Sequence, residues 1–278
     1  MPGFSASSLV DLERYPIEDL SHQTAIAVIA QAREQLLSSG AAELPGFIHP
    51  EGVKALVEDA AKLALRGHHS QGLGGPYLAP ADETFAADHP RRFREAFAVS
   101  AVAYDIIPFS SPLRQLYDSD LVLEFISAIL NRGALYRYAD PCGALNLAVM
   151  AEGEQLQWHF DQTDFVVSLA VQSAEGGGAF EVVPRIRTAS DEHYDEVAEV
   201  LAGQRENVKV LEMTPGTLLV FEGRHSLHRV SPIAGPRLRH VGLLAYDTVP
   251  GTQSSEHLRE LRYGRTMTYG APPELWPA

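Results

Sequence analysis

The pattern of apolar and polar positions changes near residue 134. Before this point, apolar residues recur at helical spacing in three segments, each of which predicts a helix. These helices span residues 19–40, 51–67 and 112–131. Gly40 is a typical helix C-cap, and residues 41–50 predict a short strand and a turn. We therefore expect residues 1–133 to form a helical N-terminal region that supports the rest of the chain and covers it as a lid.

From residue 134 onward, short segments rich in β-branched and aromatic residues follow one another, with Gly, Pro or Asp turns between them. They predict eight strands, over residues 134–139, 144–152, 164–172, 178–184, 208–214, 216–223, 228–233 and 239–248. Residues 190–204 have a helical pattern and form an insert. Eight short strands favour a double-sheet jelly roll. We predict a mainly β fold with helices, in which a jelly-roll core (residues 134–278) carries the N-terminal helices on one outer face as one compact unit.

Composition limits the kind of protein this can be. A chain of 278 residues with 45% hydrophobic residues can bury one large core without disulfides. The formal net charge of −14 argues against binding to nucleic acid or to an anionic membrane surface. The single cysteine, Cys142, excludes an internal disulfide and fits a reducing cytosol. With no secretory signal pattern and no run near the roughly 18 apolar residues of a membrane span, we expect a cytoplasmic protein.

His159 and Asp161 end a predicted strand in the segment LQWHFD. Alternate residues of a strand share a face, so the imidazole and the carboxylate point to the same side. With one distant histidine they form a two-His, one-carboxylate triad, which leaves metal positions open and suits non-haem Fe(II) oxygenases. The pair predicts an iron site.

The distant histidine lies in the segment RHSLHRVSP, where two residues qualify. We prefer His228, because it begins a short extended run after a turn. His225 lies in a hairpin-like stretch where a polar residue needs no ligand role. His240, in the following basic segment, is a third and weaker candidate.

An iron oxygenase of this kind needs a reductant for dioxygen, most commonly 2-oxoglutarate, whose far carboxylate requires a fixed cation. Arginine suits this role, because its planar guanidinium binds a carboxylate through two hydrogen bonds and stays charged when buried. Arg237 and Arg239 both follow His228, and strand parity places them on one face. We choose Arg239, the last basic residue before the apolar run VGLLAY.

Three segments together resemble the Fe(II)/2-oxoglutarate-dependent oxygenase superfamily, and most of all the branch of radical halogenases and hydroxylases that act on free amino acids and other small metabolites. The segments are residues 158–184, residues 215–251 and the tail RYGR at residues 262–265. The resemblance implies a double-stranded β-helix form of the jelly roll, or cupin-like fold, with Fe(II) and 2-oxoglutarate. It implies metal ligands at His159, Asp161 and His228, and the co-substrate anchor at Arg239.

In the halogenases of this branch, Gly or Ala replaces the carboxylate ligand and leaves a metal position for chloride. Asp161 is present here, so the resemblance implies a hydroxylase rather than a halogenase. The expected reaction is hydroxylation of an unactivated C–H bond in a free amino acid or another small polar metabolite, with dioxygen consumed and succinate and carbon dioxide released. No acid–base residue beyond the metal ligands is required.

Two further features have open interpretations. Asn146, on the strand before the ligand pair, is a candidate to hydrogen-bond the metal-bound carboxylate of 2-oxoglutarate, or alternatively to hold a neighbouring backbone group. Residues 66–80, with His68-His69 and four glycines, suit a mobile lid over the site or an ordinary solvated loop.

Two other functions compete with the oxygenase. One is a cupin-like metal enzyme that does not use 2-oxoglutarate. The other is a non-catalytic binding or regulatory module on the same fold. The order His-x-Asp, distant His and following Arg favours the oxygenase over both.

Overall fold

The computed structural model describes residues 4–266; residues 1–3 and the end of the predicted core, residues 267–278, lie outside the described part. The helices are α1 (Gln23–Ser39), α2 (Pro50–Leu63), α3 (Pro112–Asp118), α4 (Asp120–Leu130), α5 (Tyr194–Leu201) and α6 (Glu256–Tyr263). The strands are β1 (Ala41–Leu44), β2 (His68–Gly74), β3 (Glu95–Ala103), β4 (Tyr136–Arg137), β5 (Leu145–Met150), β6 (Leu156–His159), β7 (Val166–Gln172), β8 (Gly176–Gly177), β9 (Phe180–Val183), β10 (Lys209–Leu211), β11 (Leu218–Phe221), β12 (Leu227–Val230), β13 (Ile233–Ala234), β14 (Arg239–Leu244) and β15 (Tyr246–Asp247).

Two antiparallel sheets form the core. The major sheet has seven strands in the order β1-β11-β7-β14-β5-β3-β2, and the minor sheet has four in the order β10-β9-β12-β6. One apolar cluster takes Met150 and Leu219 from the major sheet and Phe180, Val182 and Val230 from the minor sheet, so the two sheets pack face to face. This mixed α/β architecture with a large antiparallel sheet is consistent with the predicted jelly roll.

Strand alternation gives the major sheet two different faces. In β5, Leu145 and Leu147 join a large apolar cluster, whereas Asn146, Ala148 and Met150 line an internal cavity. Strands β7, β11 and β14 alternate in the same way. The apolar cluster also takes in residues of the helices, among them Ile29, Leu36, Leu56 and Phe125. One face of the sheet therefore packs on apolar residues, and the other faces the cavity.

The N-terminal half contains more strand than its pattern predicts. The strand at residues 41–50 is present as β1, but β2 and β3 were not predicted, and they form one edge of the major sheet. The β2 sequence, HHSQGLG, lacks alternating apolar residues, and its strand conformation depends on a seven-residue pairing with β3, from His68–Ala101 to Gly74–Glu95. The interpretation of residues 66–80 as a loop is wrong for residues 68–74.

A second correction concerns the helix predicted over residues 112–131. The chain forms two helices, because Ser119 adopts an extended conformation (φ −74°, ψ 125°) between α3 and α4. The predicted ends are accurate: Gly40 closes α1 and Asn131 closes α4, both in the left-handed conformation.

Candidate metal centre

Two neighbouring strands of the minor sheet bring the candidate histidines together. His159 is the last residue of β6, His228 lies in β12, and the two are directly paired in the antiparallel ladder. Their ring centroids are 4.2 Å apart, and both residues are buried. The preference for His228 over the two other candidates agrees with this geometry, because His225 lies in the turn before β12 and His240 lies on the opposite face of β14 from the cavity.

Asp161 approaches both histidines from the segment that follows β6. Its backbone N–H donates to the carbonyl of Gly223 (3.1 Å), which holds this segment against the turn before β12. The Asp161 carboxylate lies 3.1 Å from Nε2 of His228 and 3.9 Å from Nε2 of His159. A Cβ on Gly223 would come within 3.0 Å of the Cβ and Cγ of Asp161, so the absence of a side chain there makes room for the carboxylate.

Backbone hydrogen bonds determine which imidazole nitrogens face the centre. Nδ1 of His159 lies 2.8 Å from the carbonyl of Gln157, and Nδ1 of His228 lies 2.9 Å from the carbonyl of Ser226. A carbonyl only accepts, so each Nδ1 carries the proton and each Nε2 presents a lone pair. This second contact orients the ring, as is usual for histidines that bind metals.

The centre therefore brings together three groups that accept hydrogen bonds, and none of them donates one to the others. Two Nε2 atoms and the Asp161 carboxylate lie within 4.8 Å of one another, and within residues 4–266 Oδ2 of Asp161 is buried without a hydrogen-bond partner. Burial, followed by the neighbouring His228, lowers the pKa of His159 to about 4, so this imidazole is neutral at physiological pH. A cation would bind to all three of these ligand atoms, and the combination of two nitrogens and one carboxylate suits Fe(II).

A cavity of about 430 Å³ opens beside these three residues, between the two sheets. It is lined mainly by apolar side chains, with few polar groups, as is common for small-molecule sites. Residues 73–75 and 78–80, in the segment first considered as a lid, line part of its wall together with α6. Phe160 ties this segment to the metal centre, since its N–H donates to the carbonyl of Pro76 (2.8 Å).

Arg239 and Arg237 have different surroundings. Arg239 is 7% exposed and lines the cavity, whereas Arg237 is exposed and donates to the carbonyl of Ala174. Among residues 4–266 no carboxylate pairs with Arg239, whose contact is a 3.9 Å approach to the Met150 sulfur. Burial lowers the pKa of Arg239 to about 10, so the guanidinium still carries its charge at neutral pH. A buried cation facing an open cavity suits an anionic ligand.

Asn146 also lines the cavity, one strand away from Arg239. It is 6% exposed and lies near Tyr263 of α6. Both alternatives considered for it remain compatible with this position.

Sequence reasoning missed two residues of this region. Gly223 belongs to the turn EGRHS, which carries no signal for a role beside a carboxylate. Arg262, in α6, lines the cavity. It belongs to the segment RYGR, and the family resemblance of that segment was the one sequence feature that could have pointed to it.

Comparisons with known proteins agree with this fold. A family model described as Halogenase D matches residues 24–260. No match was found among curated proteins. A 2OG-Fe(II) oxygenase family protein from Burkholderia pseudomallei has 15% identity and a TM-score of 0.51, covering 79% of this chain and 90% of its own.

Two other similar structures are of enzymes that differ in the reaction their descriptions name. A prolyl hydroxylase from Trichoplax adhaerens, solved with a hypoxia inducible factor peptide, has 15% identity and a TM-score of 0.53, covering 79% of this chain and 89% of its own. SnoN, a non-heme alpha ketoglutarate dependent epimerase from nogalamycin biosynthesis, has 12% identity and a TM-score of 0.54, covering 88% and 97%. Likeness at these identities shows the fold and leaves the reaction open. Within residues 4–266, no helix has the length and apolar character needed to cross a membrane.

Proposed function

The chain belongs to the Halogenase D family within the Fe(II)/2-oxoglutarate-dependent oxygenase superfamily, and we propose that it hydroxylates an unactivated C–H bond of a free amino acid or another small polar metabolite. Two observations support this proposal: His159, Asp161 and His228 border the cavity as a group that could hold a cation, and a buried arginine there has no carboxylate partner among the described residues. The second of these observations carries the assignment of 2-oxoglutarate, because the charge of Arg239 needs an anion that the described chain does not supply.

His159, Asp161 and His228 would hold Fe(II). When bound, iron with 2-oxoglutarate and dioxygen supplies the oxidising power for hydroxylation, with release of succinate and carbon dioxide. The chain's own residues orient the reactants. Arg239 would bind the far carboxylate of 2-oxoglutarate, and Asn146 would hydrogen-bond its metal-binding end. The largely apolar wall would exclude water around them.

Asp161 favours hydroxylation over halogenation. Its carboxylate already occupies the third corner of the triad, where a halogenase of this branch has a small residue and room for chloride. Halogenation remains the second candidate reaction, because the family itself is described as Halogenase D. The two are separated by product mass in the presence of chloride: one added oxygen atom supports the hydroxylase, and chlorine in the product supports the halogenase.

We propose that residues 1–133 act as support and lid for a core over residues 134–278. The contribution of residues 73–75 and 78–80 to the cavity wall supports the lid role. The unpaired and buried Cys142 fits a reducing cytoplasm, which we propose as the location.

The test is anaerobic difference spectroscopy of the purified protein with Fe(II). Addition of 2-oxoglutarate should produce the weak visible charge-transfer band of a metal-bound keto acid. Arg239→Gln should need far more 2-oxoglutarate for the same band. A folded, iron-loaded wild-type protein without the band would contradict the proposal and favour a cupin-like metal enzyme or a binding module.

A further inference from the structure

A second arginine lies near the metal centre without a hydrogen bond or ion pair among residues 4–266. Arg262 lies on α6 and lines the main cavity together with Asp161. It also lines a second cavity of about 180 Å³, which shares Asn146 and Asp161 with the first. The metal centre therefore lies where the two cavities meet, and Arg262 stands at this junction.

The surroundings of Arg262 differ from those of Arg265 and Arg94. Arg265 donates two hydrogen bonds to the Asp105 carboxylate (2.9 and 2.6 Å), and Arg94 donates to the carbonyls of Phe93 and Ala79. For Arg262, no hydrogen bond or ion pair is present within residues 4–266. Its side chain is half-buried, and its charge is partly compensated by solvent and by the Asp161 carboxylate, which it influences through space. An anionic group in the cavity would complete it.

The charges around the two cavities are strongly one-sided. Asp161, which belongs to the metal triad, is the one carboxylate among the described lining residues, whereas the lining arginines are Arg94, Arg239 and Arg262. Among these described lining residues, a substrate with a positively charged side chain would find no carboxylate other than the Asp161 of the triad. Such a charge would lose its hydration without compensation, so the cavity disfavours it.

The two cavities also differ in polarity. The smaller one, beside Arg262, presents the polar side chains of Tyr138, Gln162, Thr163 and Ser254. The larger one presents apolar side chains between the metal centre and β2, among them Leu73, Leu78, Phe97 and Leu261. Hydroxyl and amide oxygens beside Arg262 can accept from an α-amino group, but the apolar end offers a side-chain ammonium no carboxylate. A carboxylate at the polar end and an uncharged chain at the apolar end match this arrangement.

We propose that Arg262 binds the carboxylate of the primary substrate, and that this substrate is an amino acid or similar small carboxylic acid with an uncharged, mainly apolar side chain. The inference rests on the proposed function, since it assigns the substrate of that same site. Arg239 would then bind the far carboxylate of 2-oxoglutarate inside the larger cavity. Arg262 would bind the carboxylate of the substrate where the two cavities meet.

The test measures binding rather than turnover, by anaerobic calorimetry on protein loaded with Fe(II) and 2-oxoglutarate. The probes are the aliphatic and aromatic amino acids, each with its carboxamide, together with lysine, ornithine and arginine. Norleucine and lysine form a matched pair, because they share a carbon chain and differ in the terminal ammonium. At least one neutral amino acid should bind, with its amide about 10- to 100-fold weaker, as expected for loss of charge-assisted hydrogen bonds.

Three variants assign the effect to Arg262. Arg262→Gln should weaken binding of the acid about 10- to 100-fold and leave the amide nearly unchanged, while Arg262→Lys should recover part of the loss. Arg259→Gln is the matched control, because it removes a partly buried arginine one turn away on α6 that lines neither cavity. All three should keep the wild-type affinity for 2-oxoglutarate.

Several outcomes would overturn the inference. They are preferred binding of lysine, ornithine or arginine, an unchanged affinity of Arg262→Gln for the acid, and no binding of any probe to wild-type protein that forms the 2-oxoglutarate band. Failure to form this band is a different result, because it removes the proposed function and the inference together.

Discussion

His159 and His228 face each other across the β6–β12 ladder, and each imidazole donates Nδ1–H to the carbonyl two residues before it in the chain. The carbonyls belong to Gln157 and Ser226. This equivalence means that the backbone of two paired strands sets both tautomers and turns both Nε2 atoms toward Asp161. The fold itself therefore presents both Nε2 atoms to the Asp161 carboxylate, in the orientation that metal-binding histidines require.

Asp161→Gly should remove the negative charge and one of the three donors from the centre. We expect Fe(II) affinity to fall by at least the roughly 10- to 100-fold that loss of an outer contact costs at a metal site. Hydroxylation should be lost. The measurements are metal titration followed by anaerobic spectroscopy with 2-oxoglutarate, and product analysis with and without chloride. Unchanged hydroxylation would show that Asp161 is not part of the metal site.

Gly223→Ala should displace the Asp161 carboxylate while leaving the three candidate ligand residues themselves unmutated. The added Cβ would lie 3.0 Å from the Cβ and Cγ of Asp161 and still closer to its Oδ2, so the carboxylate must move. We expect weaker Fe(II) binding in a protein with nearly wild-type secondary structure. Gly176→Ala is the control, because its Cβ would meet Ala234 at an ordinary 3.5 Å. Equal metal affinity in the two variants would show that the Asp161 position tolerates the shift.

The two arginines after His228 should have unequal effects on 2-oxoglutarate. Arg239→Ala removes a buried guanidinium from the cavity, so the apparent affinity for 2-oxoglutarate should fall about 10- to 100-fold. Arg237 is exposed and points to a carbonyl at the rim, so Arg237→Ala should change this affinity about twofold or less. Titration of the charge-transfer band in both variants makes the comparison. The reverse ranking would move the anchor to Arg237.

Local patterns in the sequence were sufficient for much of the core. Motif order placed His159, His228 and Arg239 on strands β6, β12 and β14, and side-chain alternation turns Arg239 toward the cavity. Asp161 lies just beyond the end of β6, where its N–H bond to the Gly223 carbonyl holds it, so strand alternation alone does not position it. The ends of α1 and α4 were also readable, since Gly40 and Asn131 take the left-handed conformation that closes a helix.

Features that depend on distant pairing were not readable. β2 is a strand because β3 supplies its hydrogen-bond partners, whereas the sequence of β2 alone does not predict a strand. Ser119 breaks a continuous helical pattern through its backbone conformation alone. The role of Gly223 arises from the approach of Asp161, which lies on another segment. For β2 and Gly223 the deciding contact comes from residues far away in the sequence.

His240, which follows Arg239 in β14, faces away from the cavity and is 1% exposed. Both of its ring nitrogens are buried without a hydrogen-bond partner among the described residues. An unsatisfied buried polar group costs stability, so His240→Leu should raise the free energy of unfolding by about 1 to 2 kcal/mol at pH 7.5. Urea unfolding of both proteins measures the difference, and the affinity for 2-oxoglutarate should stay unchanged.

The increase in the free energy of unfolding caused by His240→Leu should become larger at acidic pH. Burial lowers the pKa of His240 in the folded protein below its ordinary value of 6.5, so the unfolded chain takes up a proton more readily than the folded one. The wild-type protein therefore keeps this part of its stability above pH 6.5 and loses it as the pH falls further. Other histidines contribute equally to both proteins, so the difference between wild type and His240→Leu isolates this residue. If the difference stayed constant between pH 7.5 and pH 5.5, or if the variant were less stable, His240 would have a polar partner that holds it in place.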